Sequence, residues 1–187
     1  MICGIDEAGR GPLAGPVCAA AVILPENFPL NILNDSKKLT ASRRDEARRV
    51  ICTDSLAWGV GWASHTEIDS INILQASLLA MKRAFTEMMK KSALPLGADI
   101  SVIVDGNKTP DIPVPCTAVV KADAKVHEVM AASILAKTAR DRYMDYMARF
   151  YPQYGYEKHK GYPTKAHREL VLKYGPSPIQ RVTFTVR

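Results

Sequence analysis

The chain has 187 residues, enough for one domain with a buried core or for a domain with a small appendage. Its 25 lysines and arginines outnumber 19 aspartates and glutamates, and the resulting +6 permits a polyanionic partner without requiring one. The longest apolar run, VCAAAVIL, is too short to span a bilayer, no signal-like segment opens the chain, and Cys3, Cys18, Cys52 and Cys116 form no CxxC pair. Neither a membrane span, a disulfide framework nor a zinc site is signalled, and a soluble, reduced, cytoplasmic protein is expected.

In chain order, MICGID and VCAAAVIL read as two buried strands around a glycine turn, and LAWGVGWAS as a third. Between the second and third, Thr40 or Ser42 can cap a helix with Ala47, Val50 and Ile51 on its apolar side. That helix and the loop before it, NDSKKL, carry six basic side chains. INILQASLLAMKRAFTEMMKKS has the 3.6-residue apolar spacing of an amphipathic helix, ended by Pro95 and Gly97. DISVIVDG and CTAVVKAD follow as strands four and five, each finishing in an aspartate.

VHEVMAASILAKTARDRYMDYMARFYP is the longest helical stretch, stopped by Pro152, and a last helix is expected from Lys165 to Tyr174 with Thr164 as its cap and Gly175 as its terminator. Three antiparallel strands followed by two strand-helix units imply an α/β fold, a mixed five-stranded sheet flanked by helices. A single domain is expected over residues 1–187, with a core to about residue 150 and a helical C-terminal extension from about 151 to 187.

The chemistry starts at GIDEAGRGP, where two carboxylates stand directly before a turn built to approach phosphate. Gly9 and Gly11 bare the backbone and Arg10 adds a cation, yet Asp6 and Glu7 would repel an anion unless a bound cation intervened. Asp105 and Asp123 also fall at ends of predicted strands. Carboxylates ending adjacent strands, about 4.8 Å apart, can share one pocket, and their mutual repulsion is relieved by a divalent ion. Oxygen-only ligands select hard ions, Mg²⁺ or Mn²⁺.

Other readings compete for each group. A strand-end aspartate is often a turn former, Asp123 can simply cap the long helix, and strand alternation sends Asp6 and Glu7 to opposite faces. Gly9-Arg10-Gly11-Pro12-Leu13-Ala14 matches the dinucleotide fingerprint GxGxxG/A. Prolines and a strand follow it, where that motif needs a helix, so a dinucleotide site is rejected. His65 and His167 read as surface or packing residues, while His127 and His159 fall near enough to the groove to neighbour phosphates.

GIDEAGRGPLAGPV, DSKKL, VDGN, KADAK, AASILAKTARDR and HKGYPTKAH together closely resemble the type 2 ribonuclease H family, bacterial ribonuclease HII, over nearly the whole chain. The resemblance implies a ribonuclease H-like fold, Mg²⁺ or Mn²⁺ as cofactor, and as substrates RNA-DNA hybrids and duplex DNA containing ribonucleotides. It implies cutting 5′ of an embedded ribonucleotide by two-metal-ion catalysis, leaving a 5′-phosphate. By position, Asp6, Glu7, Asp105 and Asp123 resemble the metal-binding acids, and Gly9, Arg10 and Gly11 the turn that reads the ribose 2′-hydroxyl. Tyr162 resembles the tyrosine that packs on the following nucleotide, and Ser36 and Lys37 resemble phosphate contacts.

Three positions depart from the family's pattern. Ala122 stands where glycine is usual, His127-Glu128 interrupts a small apolar run, and Gln180 stands where histidine is common. A monomer with no membrane contact is expected, its recruitment partner open. The alternatives are another metal-dependent nuclease of the same fold and a non-catalytic hybrid-binding module.

Overall fold

β1 (Ile2–Ala8), β2 (Val17–Ile23), β3 (Ala57–Ala63), β4 (Ser101–Asp105) and β5 (Cys116–Val119) form one sheet in the order β3-β2-β1-β4-β5. The computed structural model describes residues 1–33, 39–95 and 97–186. β1, β2 and β3 pair antiparallel, and β4 and β5 continue the sheet in parallel with β1. This is the mixed five-stranded sheet expected, with one difference. β4 passes to β5 without a helix, through residues 106–115, so of these two strands only β5 is followed by one.

The helices are α1 (Ala41–Asp54), α2 (His65–Lys91), α3 (His127–Phe150), α4 (Tyr156–His159) and α5 (Lys165–Tyr174). Thr40 and Thr164 cap α1 and α5, each accepting a hydrogen bond from the backbone N–H three residues on, and α5 has the limits its sequence predicts. α2 begins six residues before the expected Ile71, because Ser64 and Glu67 form a capping box. Asn72, with φ 67°, then breaks the helix, and its side-chain oxygen accepts from Leu74 and Gln75 N–H to restart it.

Alternation along β2 divides the core. Val17, Ala19, Ala21 and Ile23 pack with α2 on one face, while Ala20 and Val22 pack with α1 and α3 on the other. α3 lies unusually close to β1: a Cβ at Gly4 would stand 2.1 Å from the Glu128 carbonyl carbon, so only glycine admits the helix here. That approach brings α3 side chains over the end of β1, where the acids are.

The C-terminal segment is fastened to the end of α3 by a third cluster that includes Ala14, Met144, Tyr154, Tyr156, Val171 and Ile179. Its tail is tied to the first turns of α2, where Asp69 accepts from the Val182 and Thr183 N–H groups. Among the described residues no helix is long and apolar enough to cross a membrane.

Candidate active site

The strand register brings the acids together. Ile5 is the parallel partner of Val104, so one residue further Asp6 and Asp105 stand side by side on β1 and β4. Asp123 reaches them from a 3₁₀ turn, Ala122–Ala124, rather than from a strand end. β5 stops at Val119, and the left-handed Lys121 (φ 59°) turns the chain. That turn is held by Asp105 itself, whose Oδ1 accepts from the Ala122 N–H at 2.8 Å. Carboxylate oxygens of Asp6, Asp105 and Asp123 all lie within 4.8 Å of one another.

Glu7 lines the same pocket outside this trio, as strand alternation predicts, and Arg10 Nη1 reaches its Oε1 at 3.4 Å. Its other oxygen, Oε2, is buried with no hydrogen-bond donor among the described residues. Burial foremost, then the charges of Glu7 and Asp105, hold the Asp6 carboxyl well above the usual carboxylate range. Burial also raises Glu7, against the pull of Arg10. Crowded buried carboxylates with an orphaned oxygen are the donor set of a hard divalent cation, and these residues fit one.

The pocket has a volume of about 450 Å³, and Gly9, Arg10, Gly11, Ser133, Lys137 and Tyr162 complete its lining. Tyr162 is half-exposed and faces Gly11, where an added Cβ would stand 3.9 Å from Tyr162 Cε1. The candidate turn and the candidate tyrosine, 151 positions apart in the chain, thus form the two sides of one slot beside the acids. Ser36 and Lys37 lie outside the described residues.

Four residues join the site that motif reading did not single out. Ser133 hydrogen-bonds the Asp6 carboxylate, and Lys137, paired with Asp141 at 2.8 Å, stands 5.8 Å from the Tyr162 ring centre. Arg140 and Arg181 are buried behind the turn and donate to its carbonyls. The spacing 133, 137, 140 is one helix face and was available as a signal. Arg181 carries no local signal.

The histidine expectation divides. His167 is a packing residue, wholly buried, as expected. His159 does not face the groove as a phosphate neighbour: it stacks on His167 and bonds the Tyr154 carbonyl, because α4 turns it inward. His127 is exposed at the first position of α3.

Residues 3–187 match the family model described as Ribonuclease HII. The chain belongs to the ribonuclease HII family. A ribonuclease HII from Treponema denticola is 57% identical over 197 residues, covering 100% of this chain and 99% of that protein. Ribonuclease H2 from Pyrococcus horikoshii superposes with a TM-score of 0.74 at 27% identity, over 99% of this chain and 94% of that one. Ribonuclease HII from Archaeoglobus fulgidus, solved in complex with PCNA, gives 0.77 at 25% identity, over 100% and 96%. With the family come divalent-metal dependence and the ribonuclease H-like α/β fold.

Proposed function

We propose that this metal-dependent endoribonuclease, which acts on the RNA strand of RNA-DNA hybrids, also cuts duplex DNA 5′ of an embedded ribonucleotide. It leaves 5′-phosphate and 3′-hydroxyl ends, with Mg²⁺ or Mn²⁺ held by Asp6, Glu7, Asp105 and Asp123. Two ions bound there would supply an activated water for attack on phosphorus and stabilisation of the leaving 3′ oxygen. The protein's own share is placement. Asp105 orders the turn that carries Asp123, Ser133 orients Asp6, and Arg10 restrains one oxygen of Glu7 while the other stays available.

Recognition falls to the slot. Main-chain groups of Gly9, Arg10 and Gly11 can approach a 2′-hydroxyl, which both donates and accepts, because Gly11 puts no side chain in the way. Tyr162, opposite, packs on the sugar of the next nucleotide. Lys137 adds a cation on the wall of the groove, where it can offset phosphate charge.

The observation that carries the reading is the juxtaposition of three carboxylates within 4.8 Å with the Gly11–Tyr162 slot in one pocket. The test is a cleavage assay on three duplexes: all-DNA, DNA with one ribonucleotide, and a long RNA-DNA hybrid, each with EDTA, Mg²⁺ or Mn²⁺. Metal-dependent cutting of the second and third, with 5′-phosphate products and an intact all-DNA duplex, is expected. Cutting of all-DNA would make the protein a general nuclease of this fold, and binding without cutting would make it a hybrid-binding module.

A further inference from the structure

Two arginines are buried behind the reading turn, and they do different things. Arg181, fully buried, donates to the carbonyls of Gly9 (2.6 Å), Arg10 (2.9 Å), Gly15 (2.9 Å) and Pro16 (3.3 Å), all on the turn. Arg140, 1% exposed, donates through Nε to Pro16 (2.9 Å) and through Nη2 to Ala14 (3.1 Å), but its Nη1 crosses to Lys160 (2.9 Å). Lys160 belongs to the segment that carries Tyr162, and the Arg140 guanidinium carbon lies 5.6 Å from the Tyr162 ring centre. One planar fork therefore holds both sides of the slot. The two backbones are also tied directly, with Leu13 N–H donating to the Gly161 carbonyl at 2.8 Å.

We infer that Arg140 is a positioning residue that sets the gap between Gly11 and Tyr162, and so the preference for a ribonucleotide followed by a deoxynucleotide. The inference rests on the reading above, in which the turn reads the ribose and Tyr162 the sugar after it. A guanidinium offers five N–H donors in a fixed plane, and Arg140 spends three of them on carbonyls from two separate chain segments. An ammonium on a flexible stem keeps the charge but cannot span three such acceptors at once. The side-chain hydrogen bonds of Arg181 all go to the turn, and its ring contact is with Phe184, so losing it disturbs the ribose-reading side without releasing Tyr162 from its partner.

This difference gives the experiment its discriminating readout, the ratio of kcat/KM on a single-ribonucleotide duplex to that on a long RNA-DNA hybrid, measured with Mg²⁺. Arg140→Lys is expected to lower the ratio by about fivefold or more, whereas Arg181→Lys lowers both activities together and leaves the ratio within about twofold of wild type. In a Tyr162→Ala background, Arg140→Lys should lower the ratio no further. A merely structural arginine would reduce both activities in proportion to the folded fraction, and that result, or an equal change of ratio in both arginine variants, would overturn the inference.

Should Arg140→Lys not fold, ¹⁵N resonances of arginine side chains decide the question in the otherwise intact, non-cleaving Asp105→Asn protein. The Arg140 Nε–H signal should shift more on adding the single-ribonucleotide duplex than on adding the long hybrid, and equal shifts would overturn the proposal. A wild-type protein that cuts neither substrate would instead overturn the reading beneath it, a result distinct from a wild type that cuts both and an Arg140→Lys variant with an unchanged ratio.

Discussion

His159 and His167 stack ring on ring, with centroids 4.3 Å apart and planes 16° from parallel, and together they hold the backbone of Tyr162. Gly161 N–H donates to His159 Nδ1, so His159 carries its proton on Nε2 and donates it to the Tyr154 carbonyl at 2.8 Å. His167 donates from Nδ1 to the Tyr162 carbonyl at 3.0 Å, leaving Nε2 bare and buried without a partner among the described residues. Both rings are thus neutral in the folded protein.

Burial, the largest cause in each case, lowers both histidines below 6.5. The sign follows by linkage. The unfolded chain takes up protons first, so the pair's stability is fully present above 6.5 and is lost as pH falls from 6.5 toward the depressed native values. Glu157 and Lys160 also act on His159, and the buried Asp6 and Glu7 titrate with the opposite sign. The histidine share is isolated by comparing wild type with His167→Asn, whose amide can replace the Nδ1 donor. The melting temperature should fall as pH drops from 7.5 to 5 in wild type and fall less in the variant. Identical slopes would remove the pair from the pH response.

Asp105→Asn should abolish cleavage while the protein remains folded. The amide oxygen can still accept from the Ala122 N–H, so the turn that presents Asp123 is kept, but one charge of the trio is gone. Because the Asp105 charge contributes to the strain on Asp6, melting in EDTA should rise slightly. Cleavage retained within about tenfold of wild type would place the essential acids elsewhere.

Much of this was legible in the sequence because short apolar runs between glycine and proline turns can be little else than buried strands. The antiparallel trio, the parallel pair and α5 follow from that pattern. The failures share a cause. Asn72 and Lys121 adopt left-handed backbone that local propensity disfavours, so the break inside α2 and the end of β5 were misjudged, and Asp123 sits on a turn instead of a strand end. The backbone-holding roles of Arg140 and Arg181 were invisible for another reason, although the 133, 137, 140 spacing already places Arg140 on the site's face of α3. Their partners are carbonyls 20 to 172 positions away, and nothing near an arginine in sequence announces that it will be buried against backbone.

The basic segment should contribute unequally to substrate binding. Lys160 is committed to the Asp145 carboxylate and to the Glu157 carbonyl, and its side chain is only 20% exposed, whereas Lys158 is exposed on α4. Lys158→Ala is therefore expected to lower the log-log salt slope of duplex binding by roughly 0.9, the value for one phosphate contact on B-form DNA, and Lys160→Ala to leave the slope unchanged. Fluorescence anisotropy titrations at several salt concentrations read both. The reverse order would mean that Lys160 exchanges its internal partners for phosphate on binding.

Gly9 and Gly11 should fail in different ways when given a methyl group. Gly9 has φ 98°, and a Cβ there would fall 2.0 Å from Arg140 Nε and 2.3 Å from its Cδ, against a guanidinium already fixed by three carbonyls. Gly9→Ala must strain the backbone or displace Arg140, and a loss of about 1–3 kcal/mol of stability is expected. Gly11 lies outside the left-handed region, and its new Cβ would meet only Tyr162 Cε1, at an ordinary 3.9 Å. Gly11→Ala should therefore fold as wild type does. Its methyl group would project into the slot where the proposed reading seats the ribose, so kcat/KM on a single-ribonucleotide duplex should fall well over tenfold, about 1.4 kcal/mol or more of transition-state stabilisation. Metal binding, read by the thermal shift with Mg²⁺, should be unaffected because no acid moves. A stable Gly11→Ala protein with full activity would mean that the turn leaves the ribose unread and that its glycines serve the fold alone.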